Sequence, residues 1–434
     1  MSANTRAGRI LSWWPAGVVA CVAASAAVGV TLRLAVERPS AAWVVPWLWL
    51  WGLLALGTVW AMERAGASSR LGVATVVAVA VMLRLPLVGV PALLSDDVYR
   101  YLWEGAVLNR GLNPFVLAPD AIRGLDDALR ARVNHPSIPS IYPPVALLWF
   151  RAIAALGLGE LGPQVFAIVF DSVACIAMFR YRSSTGGSVW PALLYALHPL
   201  PAVEGVAGMH LETPAVALAL VGLAAGERAS LLASFASGIS AGVKLVPLVW
   251  WWRTLRGRAG WIGAFAAGMA WAVGAAAVMS GGSALLTAWR SYLSRWSFNG
   301  FLYPWLQWGL GDASRAICAG LGIVGLIWSL RARDPVQSWF RIGTTFVLVS
   351  PTVHPWYLLW VFAPSLMLGR LEWPVACVLL HGSYLVLSTL QPDGRWHEGM
   401  WLWFATWGMA VTAVAAVRWS ARPRAAMGDG QGVG

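Results

Sequence analysis

The chain has 434 residues, 59% of them hydrophobic and 12% charged, with a mean hydropathy of +0.65. A water-soluble fold of this length does not carry so few charges, so the composition excludes a soluble enzyme and predicts an all-α, polytopic integral membrane protein. The net charge of +12 would suit nucleic acid, but the basic residues cluster at the ends of apolar runs, which argues for no nucleic-acid partner and for a lipid bilayer around the chain.

Apolar runs that approach the ~30 Å hydrocarbon thickness recur along the whole chain. In order they are 16–36, 42–62, 71–93, 142–156, 163–179, 190–203, 213–225, 230–252, 261–279, 316–330, 340–353, 356–368, 374–390 and 400–417. Several are too short to cross alone, so eleven to thirteen crossings are expected. Residues 1–420 read as one transmembrane domain and 421–434 as a disordered cytoplasmic tail. The first run lacks a small-residue cleavage pattern and reads as a retained anchor. Arg6 and Arg9, Arg64 and Arg70, Arg180 and Arg182, Arg253, Arg256 and Arg258, Arg331 and Arg333, and Arg418, Arg422 and Arg424 mark cytoplasmic ends by the positive-inside rule. With the N-terminus inside, three helices bring the chain out at Leu94. Residues 280–303, the neighbourhood of His354 and 391–399 then share that outer face. Two stretches resist the count. Residues 142–179 look like two helices broken at 157–163, and one span fits between Glu227 and Arg253 better than two; broken or re-entrant helices reconcile both.

The polar stretch 94–141 is the most acidic loop in the chain, with Asp96, Asp97, Asp120, Asp126 and Asp127. A helix is predicted over 96–108, N-capped by Ser95, with acids in its first turn and a stop at Gly111-Leu112-Asn113-Pro114. Asp97, Arg100 and Glu104 then share one face at spacings of three and four. This is either a solvated amphipathic helix or a functional acidic face. Adjacent carboxylates at a membrane surface suit an enzyme that takes a proton from a hydroxyl of a lipid-borne substrate. The strap from Asn134 to Pro144 is stiffened by prolines and presents His135 and Tyr142 at the membrane boundary, where tyrosines also serve as interfacial anchors.

Lys244 is the single lysine of the chain and lies inside an apolar stretch, where an ionised group costs at least about 2.5 kcal/mol. It either contacts a lipid phosphate, or snorkels, or pairs with Glu204 or Glu212. His135, His198 and His354 each precede proline, at boundaries where a helix cannot continue. His354, with Trp356 and Tyr357 beside it, suits a grip on a sugar face and a phosphate, whereas His198 reads as a helix-end residue. His210 and Glu212, two residues apart, do not share a helix face, so no metal site is expected from them. The four cysteines read as small core residues, and the tryptophans, such as Trp13, Trp14, Trp47, Trp49 and Trp51, as interfacial belt and helix packing.

The run from Ser95 to Pro119, with Asp-Val-Tyr at 97–99, Gly111, Asn-Pro-Phe at 113–115 and Ile-Tyr-Pro-Pro at 141–144, resembles the first outer loop of GT-C fold glycosyltransferases. It is most similar to bacterial polyprenyl-phosphate-mannose-dependent mannosyltransferases and the related family 87 enzymes. Weaker resemblances continue through Leu197-His198-Pro199, 208–212, 243–247 and His354-Pro355-Trp356-Tyr357. The resemblance implies that an acid of this loop is the catalytic base, and the spacing from the loop glycine matches Asp97 better than Asp96. The family often has aspartate where Glu212 stands and asparagine at Leu211, so the His210 region departs from its pattern.

The expected activity is transfer of a sugar, by resemblance mannose, from a polyprenyl-phosphate donor to a glycolipid or glycan acceptor. The site would face outward from a bacterial inner membrane. Asp97 would be general base, with Lys244, His354 and Arg100 stabilising phosphate charge and Asp96 or Glu104 orienting the base. His135, Tyr142, His210, Glu212, Trp356 and Tyr357 would line the substrate site. The sequence calls for no cofactor and leaves a divalent cation open. The alternative is a transporter or lipid flippase using Lys244, Glu204, Glu212 and Asp171 as a path. No duplication of the acidic loop supports it.

Overall fold

The computed structural model describes residues 3–67, 71–226, 229–276, 290, 293–391 and 395–420. Arg70, Glu227, Arg422, Arg424, most of 277–292 and the expected tail at 421–434 lie outside the described residues, as do the side chains of Arg6 and Arg9. Among the described residues, regular structure is helical apart from two isolated bridges, Phe298 with Thr352 and Asn299 with Thr352.

Among the described residues, six helices are long and apolar enough to cross a membrane: Trp14–Leu34, Arg38–Arg64, Leu161–Ser184, Gly257–Ala276, Ala313–Leu330 and Met400–Trp419. Val73–Leu87, Pro144–Leu156, Glu212–Ala225 and Ser230–Val243 are apolar but shorter. The protein is thus an all-α, multi-pass membrane protein, and several predicted spans are assembled from pieces. The expected span at 190–203 breaks at His198, because Pro199 cannot continue the Trp190–Leu197 helix. The span at 374–390 changes from an α-helix, Glu372–Leu380, to a 3₁₀ segment, His381–Thr389. The single long span expected over 230–252 is broken: Ser230–Val243 stops at Lys244, whose backbone is extended, and only the short helix Leu248–Trp251 follows. At 142–179 the two-helix reading matches the structure, with Gly157 in the left-handed conformation ending Pro144–Leu156. Trp51 is packed in the core, where its indole donates to the Leu197 carbonyl at 2.7 Å.

A buried ion pair ties the helices of the core. Arg84 Nε meets Asp171 Oδ2 at 2.7 Å with both side chains fully buried, and Tyr195 donates to the other Asp171 oxygen at 3.1 Å. Asp171 is therefore committed to tying three helices together and does not face a path, contrary to its place in the transporter reading.

The loop at 94–141 folds on its own small core of Trp103, Val107, Ile122 and Val133. Its helix, Asp97–Asn109, packs against Pro144–Leu156. The two backbones approach so closely at Gly105 that any Cβ there would overlap the Phe150 carbonyl.

Candidate active site

The loop helix begins one residue later than predicted. Asp96 is its N-cap, while Ser95 Oγ accepts the Asp97 amide at 3.3 Å. Asp97 thus occupies the first turn, where the helix dipole favours a carboxylate. Asn134, from the strap, donates through one amide to Asp96 Oδ1 and Asp97 Oδ1, each at 2.8 Å. Arg38 reaches Asp96 Oδ2 at 3.1 Å. The two adjacent acids therefore differ: Asp96 is neutralised by an arginine, and Asp97 keeps an oxygen toward His210. Burial raises the Asp97 carboxyl to about 6, helped by the neighbouring Asp96 charge and opposed by Asn134 and Lys244.

The acid-base-acid face of the helix splits by depth. Arg100 pairs with Glu104 at 3.0 Å and donates to the carbonyls of Asn134 (2.9 Å), His135 (3.2 Å), Pro139 (3.2 Å) and Ile138. Glu104 also accepts from Ser140 Oγ at 2.7 Å. Both residues are buried, and this network clamps the strap onto the helix. The roles expected for Arg100 at a phosphate and for Glu104 beside the base are not where the geometry puts them. Arg100 touches the cavity wall with its donors already engaged, and Glu104 lies behind it.

The clamped strap forms one wall of a cavity of about 1040 Å³. Asp96, Asp97, Arg100, His135, Tyr142, Glu212, Lys244, His354, Trp356 and Tyr357 all line it, although the first and last lie 261 positions apart in the chain. His210 abuts it: its Nδ1 is 3.9 Å from Asp97 Oδ2, and its Nε2 is 3.7 Å from Glu204 Oε2. Neither ring nitrogen of His210 has a hydrogen-bond partner among the described residues. Glu204 accepts from Tyr384, which donates to its oxygens at 2.9 and 2.8 Å.

A match to known sequences decides the family. The family model described as "Alpha-(1->6)-mannopyranosyltransferase, N-terminal domain" matches residues 10–255, more than half of the chain. The chain belongs to this family. It is 24% identical over 387 residues to Alpha-(1->6)-mannopyranosyltransferase A of Mycobacterium tuberculosis, covering 75% of this chain and 70% of that one. It is 27% identical over 351 residues to Alpha-(1->6)-mannopyranosyltransferase B of Corynebacterium glutamicum, covering 64% of this chain and 56% of that one. The aligned part is thus little more than half of the second relative's length. No solved structure matches the chain.

Within this mannopyranosyltransferase-family chain, Lys244 and Glu212 sit at helix ends suited to their charges. Glu212 opens Glu212–Ala225 and Lys244 closes Ser230–Val243, so both dipoles are favourable. Of the partners open to Lys244, the structure supplies Glu212, at 2.7 Å. The Lys244 side chain remains 23% exposed and lines the cavity, its ammonium about 6 Å from the rings of Tyr142 and Tyr357. A lysine has three donors, so the pair leaves capacity for an incoming anion.

Four rings stack in succession beside the cavity. His210 lies on Trp356 at 3.7 Å, Trp356 on His354 at 4.3 Å, and His354 on Phe298 at 4.8 Å. Trp356 is buried and engaged by both histidines, so it packs the stack and is not an open platform for a sugar. Open aromatic edges come instead from residues that sequence reasoning passed over, Trp296 and Trp396, while Tyr384 lines the cavity as a buried side chain. Asn134 was also missed as a positioner of the acids. Among the described residues, the non-glycine positions with positive φ are His135, Met209 and Asn299; His135 lines the cavity, and the other two are next in sequence to His210 and Phe298 of the stack. No group of three or more His, Cys, Asp and Glu side chains among the described residues is arranged to hold a metal ion.

Proposed function

We propose that the chain transfers a mannosyl group from a polyprenyl-phosphate donor to a hydroxyl of a lipid-linked or polysaccharide acceptor. The reaction takes place at the extracytoplasmic face of a bacterial inner membrane. Family membership supports the mannosyl group, and the charge pattern at the helix ends supports the outward face. The observation that carries the mechanism is the juxtaposition, in one cavity, of a half-buried carboxylate at Asp97 and the chain's single lysine.

Asp97 takes the proton of the acceptor hydroxyl as that oxygen bonds to the anomeric carbon. The bond from that carbon to the phosphate oxygen breaks, with inversion, and polyprenyl phosphate leaves. Lys244 offsets the charge that develops on the phosphate, in a site where partial exclusion of water strengthens the interaction. His354 borders the same cavity and shapes the sugar pocket with Tyr357. His210 positions Asp97.

The test is transfer of radiolabelled mannose from polyprenyl-phosphate mannose to extracted membrane acceptors, with wild type beside Asp97→Ala. Transfer by wild type and its loss in an inserted, folded variant supports the mechanism. Normal turnover by the variant removes Asp97 as the base, and no transfer by wild type removes the donor.

A further inference from the structure

A second cavity, of about 830 Å³, adjoins the first. The two share Ser297, Phe298 and Trp396 as wall residues. The partition is the short pairing of Phe298 with the 351–353 segment, in which Phe298 donates to the Pro351 carbonyl at 3.0 Å and accepts from the Val353 amide at 2.7 Å. Phe298 faces His354 on the catalytic side and meets Trp396 edge-on at 5.7 Å.

This partition is held unusually firmly. Asn299 is buried and has a φ of +45°, a strained conformation for a residue with a side chain. Three residues pin it: its amide donates to Glu398 Oε1 at 2.5 Å, its side-chain oxygen accepts from Thr406 at 3.0 Å, and its carbonyl accepts from the Trp407 indole at 2.8 Å. Strain retained by surrounding contacts points to a position where geometry matters.

The second cavity carries aromatic surface with a few polar groups set among it. Trp305, Trp308 and Trp403 line it together with Gln307, His397 and Glu398. Trp308 is 87% exposed, so no other part of the described chain covers its face. Flat apolar faces combined with carboxylate, amide and imidazole groups match a saccharide, which presents C–H faces and hydroxyl edges together. Lipid tails would leave the polar groups of this lining unserved.

We infer that this second cavity is an acceptor subsite that holds the sugar units of a mannan-type chain adjoining the one that reacts at Asp97. The inference rests on the mannosyl-transfer reading of the neighbouring cavity and extends it: the enzyme reads acceptor length through Trp305 and Trp308. A terminal sugar lies in the catalytic cavity, and the following units pass Phe298 and Trp396 into the second one.

Two measurements test this. The first compares KM and kcat for a synthetic mono-mannoside and a tetra-mannoside acceptor in wild type, Trp308→Ala and Trp305→Ala. Wild type should favour the longer acceptor by about tenfold or more in KM. Each variant should raise the KM of the tetra-mannoside toward that of the mono-mannoside and leave turnover of the mono-mannoside unchanged. The same length dependence in all three proteins overturns the inference, because the tryptophans are then interfacial belt residues. Equal loss on both acceptors also overturns it.

The second measurement is calorimetric titration of the tetra-mannoside into nanodisc-embedded protein with no donor present. Saturable binding by wild type, weakened in Trp308→Ala but not in Asp97→Asn, supports the subsite even where no transfer is seen. Transfer without such binding overturns the subsite and leaves the function standing.

Discussion

His210 Nδ1 stands 3.9 Å from Asp97 Oδ2, and the ring is fixed there by stacking on Trp356 and by the backbone bond from its amide to the Glu204 carbonyl at 3.0 Å. With Glu204 on its other nitrogen, one imidazole separates two carboxylates. His210→Gln should therefore lower kcat on the order of tenfold to a hundredfold with little change in donor KM. A packing role alone would instead show as lost thermal stability at unchanged kcat, so kinetics and unfolding are measured on the same preparation.

The raised Asp97 carboxyl predicts a pH profile. A base must be ionised, so kcat/KM should rise with pH, level off above about 6, and fall tenfold per unit below it. The stability sign is the reverse. Because the folded-state value is raised, the folded protein holds a proton that the unfolded chain has released, and stability declines as pH rises through that window. Asp97→Asn removes a charge that is disfavoured above pH 6 and should stabilise the protein at pH 7.5, on the order of 1 kcal/mol, while abolishing turnover. A variant that is inactive and less stable at pH 7.5 contradicts this balance.

Glu104 holds the clamp and does no chemistry in this scheme. Glu104→Ala leaves the buried Arg100 guanidinium without its carboxylate and should cost about 3–5 kcal/mol. The strap that carries Asn134 would loosen with it, so activity falls along with the unfolding temperature. Glu104→Gln, which still accepts from Arg100, should recover part of both. Activity lost at unchanged stability would move Glu104 into the reaction.

Orientation can be read with thiol chemistry. The four native cysteines are buried, so an introduced thiol is labelled over a low background. Ser137 lies exposed on the strap and Ser184 lies exposed at the far end of Leu161–Ser184, beside the basic residues Arg180 and Arg182. A membrane-impermeant maleimide added to intact cells should label Ser137→Cys and not Ser184→Cys until the membrane is opened. The inverse pattern would turn the site inward.

The sequence made the fold class plain because apolar runs and their charged ends are properties of local stretches. It also placed the break at His354-Pro355, for a steric reason any reader can apply, whereas the expected span 190–203 ran through His198-Pro199, where the same pairing stops the helix. A broken helix was one way to reconcile the stretch before Arg253, but its position at Lys244 was not legible, because the helix ends where Lys244 pairs with the distant Glu212. A place on the cavity wall was legible for residues that are odd in their surroundings, such as Asp97 and Lys244. It was not legible for Tyr384 or Phe298, which look like ordinary membrane aromatics until distant segments fold beside them. Arg100 and Glu104 misled for a related reason. Helical spacing shows which residues share a face, but the strap that covers that face comes from more than thirty residues away.

The isolation of Lys244 has a practical consequence. Apart from the chain's N-terminal amine, it is the sole primary amine of the polypeptide, and its head opens onto the cavity. Amine-directed acylating reagents therefore meet one internal target, inside the chamber where a sugar donor would sit. Protection of that single modification by a ligand reports occupancy directly, by the mass of one peptide, in intact membranes and with no engineered tag.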